Sequence, residues 1–283
     1  MQLIDGKETA RVIRAELAGR AAAFAEAHGR RIGLAVLLIG DDPASQVYVR
    51  NKIKACEETG IRSLAHYLPA ATTQAQAEEL VRSLAEDDKV DGILIQLPLP
   101  AHLDAKKLLA LIPTEKDVDG FSAENVGRLA LREDCTAACT PLGIMELLRR
   151  YHIPTAGKRA VVVGRSNIVG KPMALLLLNA DATVTICHSR TQNLKDECLR
   201  ADILIAAVGK PKFITADMVK EGAVVIDVGM DRDEEGKLCG DVDFASVREK
   251  ASFLTPVPGG VGPMTIAMLL YNTCAAAERR TAE

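Results

Sequence analysis

One segment of the sequence places three polar side chains at the spacing of a single helix face. Ser45, Tyr48 and Lys52 lie three and then four residues apart, so in a helix their side chains fall on one stripe. The neighbouring stripe is apolar and consists of Val49, Ile53 and Cys56, spaced four and then three residues apart. The polar stripe can therefore line a cleft, where a lysine amine can exchange protons with a ligand. A solvated surface lysine is the alternative interpretation.

Two further segments carry polar groups suited to a ligand. Gln96 ends the apolar run VDGILIQL, and in open α/β sheets ligands collect beyond the carboxyl ends of the strands. Asp117 and Asp119 stand in a loop-like segment before Gly120. An Asx turn is the simpler interpretation of these acids. The glycine- and proline-rich segment 256–263 can bring its backbone close to a ligand or can simply connect domains.

A glycine-containing turn marks a nucleotide site. Gly164 ends an apolar strand-like run and Gly170 opens a helix-like one, which is where free helix N–H groups bind phosphate. Ser166 replaces the middle glycine of the usual dinucleotide fingerprint. Glycine also simply ends many strands, but this turn is the first of four strand–helix units. That position favours a phosphate-binding turn.

The residues after the next strand indicate which nucleotide binds. An NAD site places Asp or Glu there to bind the ribose 2′-hydroxyl, whereas this strand is followed by His188, Ser189 and Arg190. With Arg165 from the first turn, this pocket suits a 2′-phosphate held by charge-assisted hydrogen bonds. The segment predicts NADP rather than NAD. A solvated basic loop is the alternative.

The elements that must position these residues alternate between strand and helix. Apolar runs predict strands at 31–40, 61–68, 90–97, 158–164, 182–187, 201–209, 223–229 and 253–257. Helices are predicted at 43–59, 73–87, 171–180 and 263–277. This order is typical of an α/β protein whose parallel sheets are covered on both faces.

The sequence predicts two domains. We expect an N-terminal α/β domain of residues 1–140 plus 263–283, and a Rossmann-type, doubly wound parallel-sheet domain of residues 141–262. The first domain is discontinuous because the last helix is apolar on nearly all sides and must be buried by other elements. We expect the active site in a cleft between the two domains.

Composition excludes several classes of protein. The net charge of −3, from 35 basic and 38 acidic residues, argues against nucleic-acid binding, which needs a basic surface. No apolar run reaches the ~18 residues of a membrane span, and the N-terminus lacks a signal peptide's apolar region. Seven cysteines without a CxxC pair suit free thiols in a reducing compartment. We expect a soluble, cytoplasmic protein that does not bind membranes.

The five histidines predict no metal site. His28, His66, His102, His152 and His188 form no cluster with the spacing of metal ligands. The chemistry expected of this chain therefore involves a nucleotide and an amine, without a bound ion.

Long motifs of the sequence resemble those of a known family. They are YVRNKIKACEETGI, GILIQLPLP, PTEKDVDGFSAENVGRL, TPLGIMELL, VVVGRSNIVGKPMA, VIDVGM and TPVPGGVGPMTIAMLLYNT. Together they resemble the bifunctional methylenetetrahydrofolate dehydrogenase/methenyltetrahydrofolate cyclohydrolase family, in order and over essentially the whole chain. The resemblance implies NADP-dependent oxidation of 5,10-methylenetetrahydrofolate and hydrolysis of the methenyl product to 10-formyltetrahydrofolate. It also implies a homodimer acting in one-carbon metabolism.

The resemblance assigns roles to residues. Lys52 matches the catalytic lysine and is our hypothesis for the proton shuttle, Gln96 matches the residue that supports it, and Asp119 matches the aspartate that binds the pterin ring. Substrate contacts are matched by Ser45, Tyr48, Pro258, Gly259, Gly260 and Val261. Cofactor contacts are matched by Gly164, Arg165, Ser166, His188, Ser189, Arg190 and Met230, the last standing where the family often has isoleucine.

Two other functions are compatible with the fold. One is another small-molecule NADP dehydrogenase, of the shikimate type, but that alternative does not explain Tyr48, Lys52, Gln96 and Asp119 together. The other is a non-catalytic protein that senses NADP. Such a protein has no reason to keep the complete Lys52, Gln96 and Asp119 set, and it would bind nucleotide without turnover.

Overall fold

A computed structural model describes residues 1–282 of the chain. Its strands are β1 (Gln2–Leu3), β2 (Gly33–Ile39), β3 (Arg62–Leu68), β4 (Gly92–Ile95), β5 (Arg159–Val163), β6 (Thr183–Cys187), β7 (Ile203–Ala206), β8 (Val224–Asp227), β9 (Asp231–Arg232), β10 (Leu238–Cys239) and β11 (Phe253–Leu254). Its α-helices are α1 (Gly6–His28), α2 (Pro43–Thr59), α3 (Gln74–Glu86), α4 (Ala105–Leu109), α5 (Ala123–Ala130), α6 (Cys139–Arg150), α7 (Gly170–Asn179), α8 (Leu194–Leu199), α9 (Phe244–Val247) and α10 (Val261–Thr281).

The chain divides into two compact units. The small-sheet unit comprises residues 11–128, 134–137 and 266–283, and the large-sheet unit comprises residues 1–10, 129–133 and 138–265. The small sheet has the order β3-β2-β4 and the large sheet β1-β11-β8-β7-β5-β6. Within both sheets every pairing is parallel, which confirms the predicted α/β class. No helix within residues 1–282 is both long and apolar enough to cross a bilayer.

Both sheets contain buried strands, as expected of parallel sheets. β2 and β4 are buried along their whole length, as are four of the five residues of β5, because helices cover both faces of such sheets. In the large sheet, β6 lies on one side of β5 while β7 and β8 lie on the other. The strand order therefore reverses between β5 and β7, which is where dinucleotides bind in doubly wound folds.

The short strand β1 was not predicted from the sequence. Gln2 and Leu3 pair with Phe253 and Leu254 of β11 and lie at the edge of the large sheet. Both residues are exposed, so they show no hydrophobic pattern. Their pairing depends on a strand about 250 residues away in sequence, which no local signal can indicate.

A buried carboxylate fixes three elements of the small-sheet unit. Asp91 is fully buried, and its carboxylate accepts two hydrogen bonds from Arg30 at 2.7 and 2.8 Å. It also accepts one from the backbone N–H of Gly33 at 2.9 Å and one from Arg280 at 3.0 Å. A buried charge needs such partners because desolvation is costly. Asp91 thus joins the start of β2 to the ends of α1 and α10.

A buried lysine caps the end of α3. Lys116 donates hydrogen bonds to the carbonyl oxygens of Ala85 and Asp87, at 2.7 and 2.9 Å. These carbonyls are among those that a helix end leaves without partners. Burial, together with the charge of Arg280, lowers the pKa of Lys116. The structure gives this lysine a capping role.

The seven cysteines are free thiols, and six of them are buried. Burial raises the pKa of Cys56, Cys198 and Cys274 to about 12. A thiol reacts as its thiolate, so these three buried residues act as small apolar core side chains.

Candidate functional site

Local capping signals set the position of α2. Asp42 caps the helix by accepting the backbone N–H of Ser45 at 2.7 Å, and Pro43 occupies the first turn. That backbone bond, with a further one from the Ser45 side chain, lowers the pKa of Asp42. Gly60 ends the helix in the left-handed conformation, with φ of 75°. The helix has the bounds that the sequence predicted, which fixes the face on which the polar stripe lies.

The structure brings Lys52 and Gln96 into direct contact. Nζ of Lys52 donates to Oε1 of Gln96 at 2.9 Å. Nε2 of Gln96 donates to the carbonyl oxygen of Leu97 at 2.7 Å, so the amide can present only its oxygen to the lysine. Gln96 follows the carboxyl end of β4. The lysine is therefore held by a neutral acceptor at the strand end where ligands collect.

The two acids of the loop after β4 have different surroundings. Asp117 accepts the backbone N–H groups of Gly120 at 3.0 Å and Ser122 at 2.8 Å, and also the amide of Asn125. Asp117 is therefore a structural acid of this loop, but it binds the backbone three and five residues further on, whereas an Asx turn binds it two residues on. Burial raises the pKa of Asp119 to about 6, against the opposing charge of Lys52 and with a further increase from Asp117. Asp119 thus lies in the electrostatic neighbourhood of Lys52.

The remaining residues of the polar stripe differ in exposure. Ser45 is buried, whereas 39% of Tyr48 is exposed. An exposed tyrosine ring one helical turn from a lysine offers an apolar face and a polar end to a flat ligand. The stripe, Gln96 and Asp119 all belong to the small-sheet unit.

The turn between β5 and α7 has the close packing expected of a phosphate-binding turn. Gly164 has φ of 138°, and a Cβ there would collide with the carbonyl oxygen of Ala207. A Cβ on Gly170 would likewise collide with the carbonyl oxygen of Gly164. Oγ of Ser166 accepts the N–H groups of Val169 at 3.1 Å and Gly170 at 3.3 Å. The serine that breaks the usual fingerprint therefore orders the turn itself.

The loop after β6 is held by its own side chains. Oγ1 of Thr191 accepts the N–H of His188 at 2.8 Å, and Nδ1 of His188 accepts the N–H of Arg190 at 3.1 Å. Ser189, Arg190 and Arg165 are exposed. The loop and the Gly164 turn follow adjacent parallel strands, so they lie at the same sheet edge. Two cations and a hydroxyl beside a tight turn fit the 2′-phosphate and pyrophosphate of NADP.

The loop before α10 is packed against the start of α1. The carbonyl oxygen of Gly259, which has φ of 103°, accepts the N–H of Lys7 at 2.8 Å. A Cβ on Gly260 would crowd the carbonyl oxygen of Pro256. Met230, which is half-exposed, extends its terminal methyl towards Gly262. The structure therefore brings the predicted substrate loop, Pro258 to Val261, beside Met230 within the large-sheet unit.

Sequence reasoning missed three residues that organise the cofactor side. Thr191 orders the basic loop, and Asp227 and Asp241 are buried acids that bind backbone N–H groups near the ends of β7 and β8. The N–H groups that Asp241 binds lie 33 and 31 residues earlier in the chain, so its role could not be read from its sequence neighbours.

Comparison with known families divides the chain into two segments. Residues 4–119 match the family described as tetrahydrofolate dehydrogenase/cyclohydrolase, catalytic domain. Residues 138–281 match the family described as tetrahydrofolate dehydrogenase/cyclohydrolase, NAD(P)-binding domain. The two segments contain all the residues proposed above for lysine chemistry and for nucleotide binding.

Individual relatives match over their full length. The chain is 61% identical over 287 residues to the bifunctional protein FolD of Desulfovibrio desulfuricans, covering 100% of both. The crystal structure of FolD, a methylenetetrahydrofolate dehydrogenase/cyclohydrolase, from Campylobacter jejuni is 50% identical, covers 99% of each chain and has a TM-score of 0.97. The Trypanosoma brucei FolD structure, complexed with NADP cofactor and inhibitor, is 41% identical, with a TM-score of 0.94 and coverage of 99% of this chain and 98% of that one.

Proposed function

The chain belongs to the tetrahydrofolate dehydrogenase/cyclohydrolase family, and from that premise we propose which residues perform its two reactions. It is an NADP-dependent methylenetetrahydrofolate dehydrogenase and methenyltetrahydrofolate cyclohydrolase. The observation that carries the assignment is the 2.9 Å hydrogen bond between Lys52 and Gln96, with Asp119 in the same neighbourhood. Lys52, Gln96 and Asp119 are the proposed catalytic set.

In the oxidation, the C–H bond of the methylene carbon between N5 and N10 breaks. The chemistry that bound NADP would supply is acceptance of that hydride, with its electron pair, which would leave the folate as the methenyl cation. The chain's own contribution is positioning, because holding two reactants in the correct geometry lowers the barrier substantially. We propose that Tyr48 supports the folate ring by stacking and that Ser45 lines its pocket. The family resemblance gives Pro258, Gly259, Gly260 and Val261 as further substrate contacts.

In the hydrolysis, the oxygen of water adds to the methenyl carbon and the bond from that carbon to N5 breaks. Both protons of the water must leave the oxygen that becomes the formyl oxygen: one reaches N5 and the other is released to solvent. Lys52 takes a proton from the water and delivers a proton to N5. Gln96 accepts a hydrogen bond from Nζ of Lys52 at 2.9 Å and so positions the amine for both transfers.

Asp119 is proposed to bind the amino and ring N–H groups of the pterin through its carboxylate. Its pKa of about 6 means that acid converts this acceptor into a neutral carboxyl group below that value. Folate affinity is expected to fall as the pH decreases through about 6.

In Asp119→Asn, folate affinity is expected to be at least tenfold weaker, as for a lost charge-assisted hydrogen bond, and independent of pH in this range. Titration of folate binding at several pH values measures both effects. A wild-type pH profile that Asp119→Asn shares would contradict the assignment.

The proposed cofactor contacts are Gly164, Arg165, Ser166, His188, Ser189, Arg190 and Met230. Selection of NADP over NAD rests on Arg165, Ser189 and Arg190, the exposed groups at the sheet edge beside the Gly164 turn. The turn binds the pyrophosphate, and the guanidinium groups bind the 2′-phosphate.

Arg190→Ala is expected to raise the KM for NADP at least tenfold while leaving the KM for NAD unchanged, because a charged hydrogen bond contributes about 1.5–3 kcal/mol. Steady-state dehydrogenase rates with each nucleotide measure the difference. Arg200→Ala is the matched control. Arg200 is exposed and precedes the amino end of β7, whereas Arg190 follows the carboxyl end of β6. Equal effects of Arg190→Ala on both nucleotides would show that the 2′-phosphate is bound elsewhere.

The proposed function is tested by two assays on the wild-type protein. Mixing it with methylenetetrahydrofolate and NADP is expected to produce the ultraviolet absorbance of NADPH. Supplying the methenyl compound without NADP is expected to yield 10-formyltetrahydrofolate. A shikimate-type dehydrogenase would be inactive in both assays, and a nucleotide sensor would bind NADP without turnover.

We also propose that the protein forms a homodimer through its large sheet. β6 is one of the two edge strands of that sheet, and Ile186 on it is 41% exposed. Leu178 and Leu131 are 56% and 71% exposed, and a hydrogen bond from Asn179 to the carbonyl oxygen of Leu129 holds their segments together. An exposed edge with apolar side chains favours pairing with a second copy. Light scattering is expected to give twice the 30.3 kDa chain mass.

We also propose the domain boundaries and the metabolic role from the family resemblance. We propose that residues 1–140 with 263–283 form the folate-binding catalytic domain and that residues 141–262 form the NADP-binding domain. The product would supply one-carbon groups to purine, methionine and histidine biosynthesis in the cytoplasm. Expression of the chain in a strain lacking this activity, with growth scored without those nutrients, tests the metabolic role.

A further inference from the structure

Two carboxyl groups near the ends of β7 and β8 take no part in the chemistry above. Asp227 is the last residue of β8, and Asp241 lies shortly after β10. Asp227 is 3% exposed and Asp241 is fully buried. Acidic side chains are almost never buried unless they are paired, so the groups that they bind indicate what they do.

Asp227 holds the chain as it leaves β8. Oδ1 of Asp227 accepts the N–H groups of Gly229 at 3.0 Å and Asp241 at 2.9 Å, and Oδ2 accepts the N–H of Val242 at 3.0 Å. Its own N–H donates to Oγ1 of Thr255 at 2.7 Å. All these bonds fix backbone, so the path of the chain into Met230 depends on this carboxylate.

Asp241 holds the segment that follows β7. Oδ2 of Asp241 accepts the N–H of Val208 at 2.6 Å, and Oδ1 accepts the N–H of Lys210 at 2.7 Å. Its carbonyl oxygen accepts the N–H of Ile214 at 2.8 Å. Because Asp227 binds the backbone of Asp241, the two acids join the segments after β7 and β8 into one unit.

Two glycines permit this arrangement. A Cβ on Gly229 would collide with the backbone nitrogen of Asp241 and crowd its carboxyl group, and one on Gly240 would collide with the carboxyl group of Asp227. Side chains at these positions would push the acids away from the N–H groups that they bind. The close packing of the two acids therefore depends on both glycines.

The segments after β7 and β8 lie on the side of the sheet where the nicotinamide half of a dinucleotide binds in doubly wound folds. The phosphate turn follows β5, and the strand order reverses between β5 and β7. In doubly wound folds the cofactor crosses that point, so its second half lies over the strands on the other side. We propose that Asp227 and Asp241 are positioning residues that fix the backbone of 208–210 and 229–230 for the nicotinamide half of NADP. This inference rests on the proposed function.

The test separates the two activities. In Asp241→Asn, one of two acceptor oxygens becomes an NH2 group that faces a backbone N–H. The dehydrogenase kcat/KM for NADP is expected to fall at least tenfold, as for an unsatisfied buried donor. Hydrolysis of the methenyl compound, which uses no NADP, is expected to stay within about twofold. Asp227→Asn is expected to show the same split when measured above pH 7, since burial raises the pKa of Asp227 to about 7.

Glu234→Gln is the matched control, because Glu234 is exposed between β9 and β10 and both activities should persist in that variant. A variant at Asp241 or Asp227 that loses both activities equally, or that fails to fold, would contradict a positioning role, as would unchanged NADP kinetics. A wild-type protein without either activity would instead contradict the proposed function.

Discussion

Replacing Lys52 with methionine is expected to reduce methenyl hydrolysis about 10³-fold, which lies within the range for loss of a positioned acid–base group. Methionine has an unbranched apolar side chain one atom shorter than that of lysine, but it cannot transfer a proton or donate to Gln96 Oε1. The measurement is the decay of methenyl absorbance in the absence of NADP. NADP affinity is expected to be unchanged, because the proposed cofactor contacts belong to the large-sheet unit.

Lys54→Met is the matched control for this experiment. Lys54 lies two residues further along α2 and is exposed, whereas Lys52 is half-buried. Both substitutions remove one positive charge from the same helix, so a difference between them measures the position of the amine and excludes a general charge effect. Hydrolysis retained in Lys52→Met would refute the proton-shuttle role.

Asp91→Ala is expected to lower the free energy of unfolding by about 3 kcal/mol, at the lower end of the range for breaking a buried ion pair. The lower end applies because the side chains of Arg30 and Arg280, which lose their shared partner, are 28% and 19% exposed. The Gly33 N–H also loses its acceptor. Urea unfolding followed by circular dichroism measures the change.

Asp88→Ala provides the comparison for Asp91. The Asp88 side chain is fully exposed and approaches Arg280 at 3.6 Å, and exposed ion pairs contribute little to stability. The unfolding midpoint is expected to stay at the wild-type value in this variant. Equal effects of Asp88→Ala and Asp91→Ala would mean that the buried position of Asp91 has no special importance.

The parts of the fold that the sequence predicted are those with local signals. Asp42, Pro43 and Gly60 set the bounds of α2 because a capping acid, a first-turn proline and a left-handed glycine act within the helix itself. The buried strands were recognisable from their apolar runs. Predicted strands extended past the observed ones: within the run 90–97 the strand itself is Gly92–Ile95. The N–H groups of Asp91 and Gln96 still donate to the carbonyl oxygens of Gly33 and Leu37, and Pro98, which follows, cannot donate to a ladder.

The parts that could not be predicted depend on residues far apart in sequence. Lys52 alone was ambiguous, because its partner Gln96 is 44 residues away. Asp117 and Asp119 have the same side chain and lie two residues apart, yet one binds backbone N–H groups of the loop and the other has a pKa raised by burial. Only the three-dimensional surroundings separate a structural acid from a reactive one. The family resemblance supplied the role of Asp119, and the residues alone did not.

The pairing of β1 with β11 has a consequence for how the protein forms during its synthesis. The small sheet is composed of β2, β3 and β4, so all its strands have emerged from the ribosome once residue 95 and a short further segment are out. The large sheet pairs Gln2 with Phe253, and it cannot be complete until nearly the whole polypeptide has been translated. For most of that time the first residues of the chain have no strand beside them.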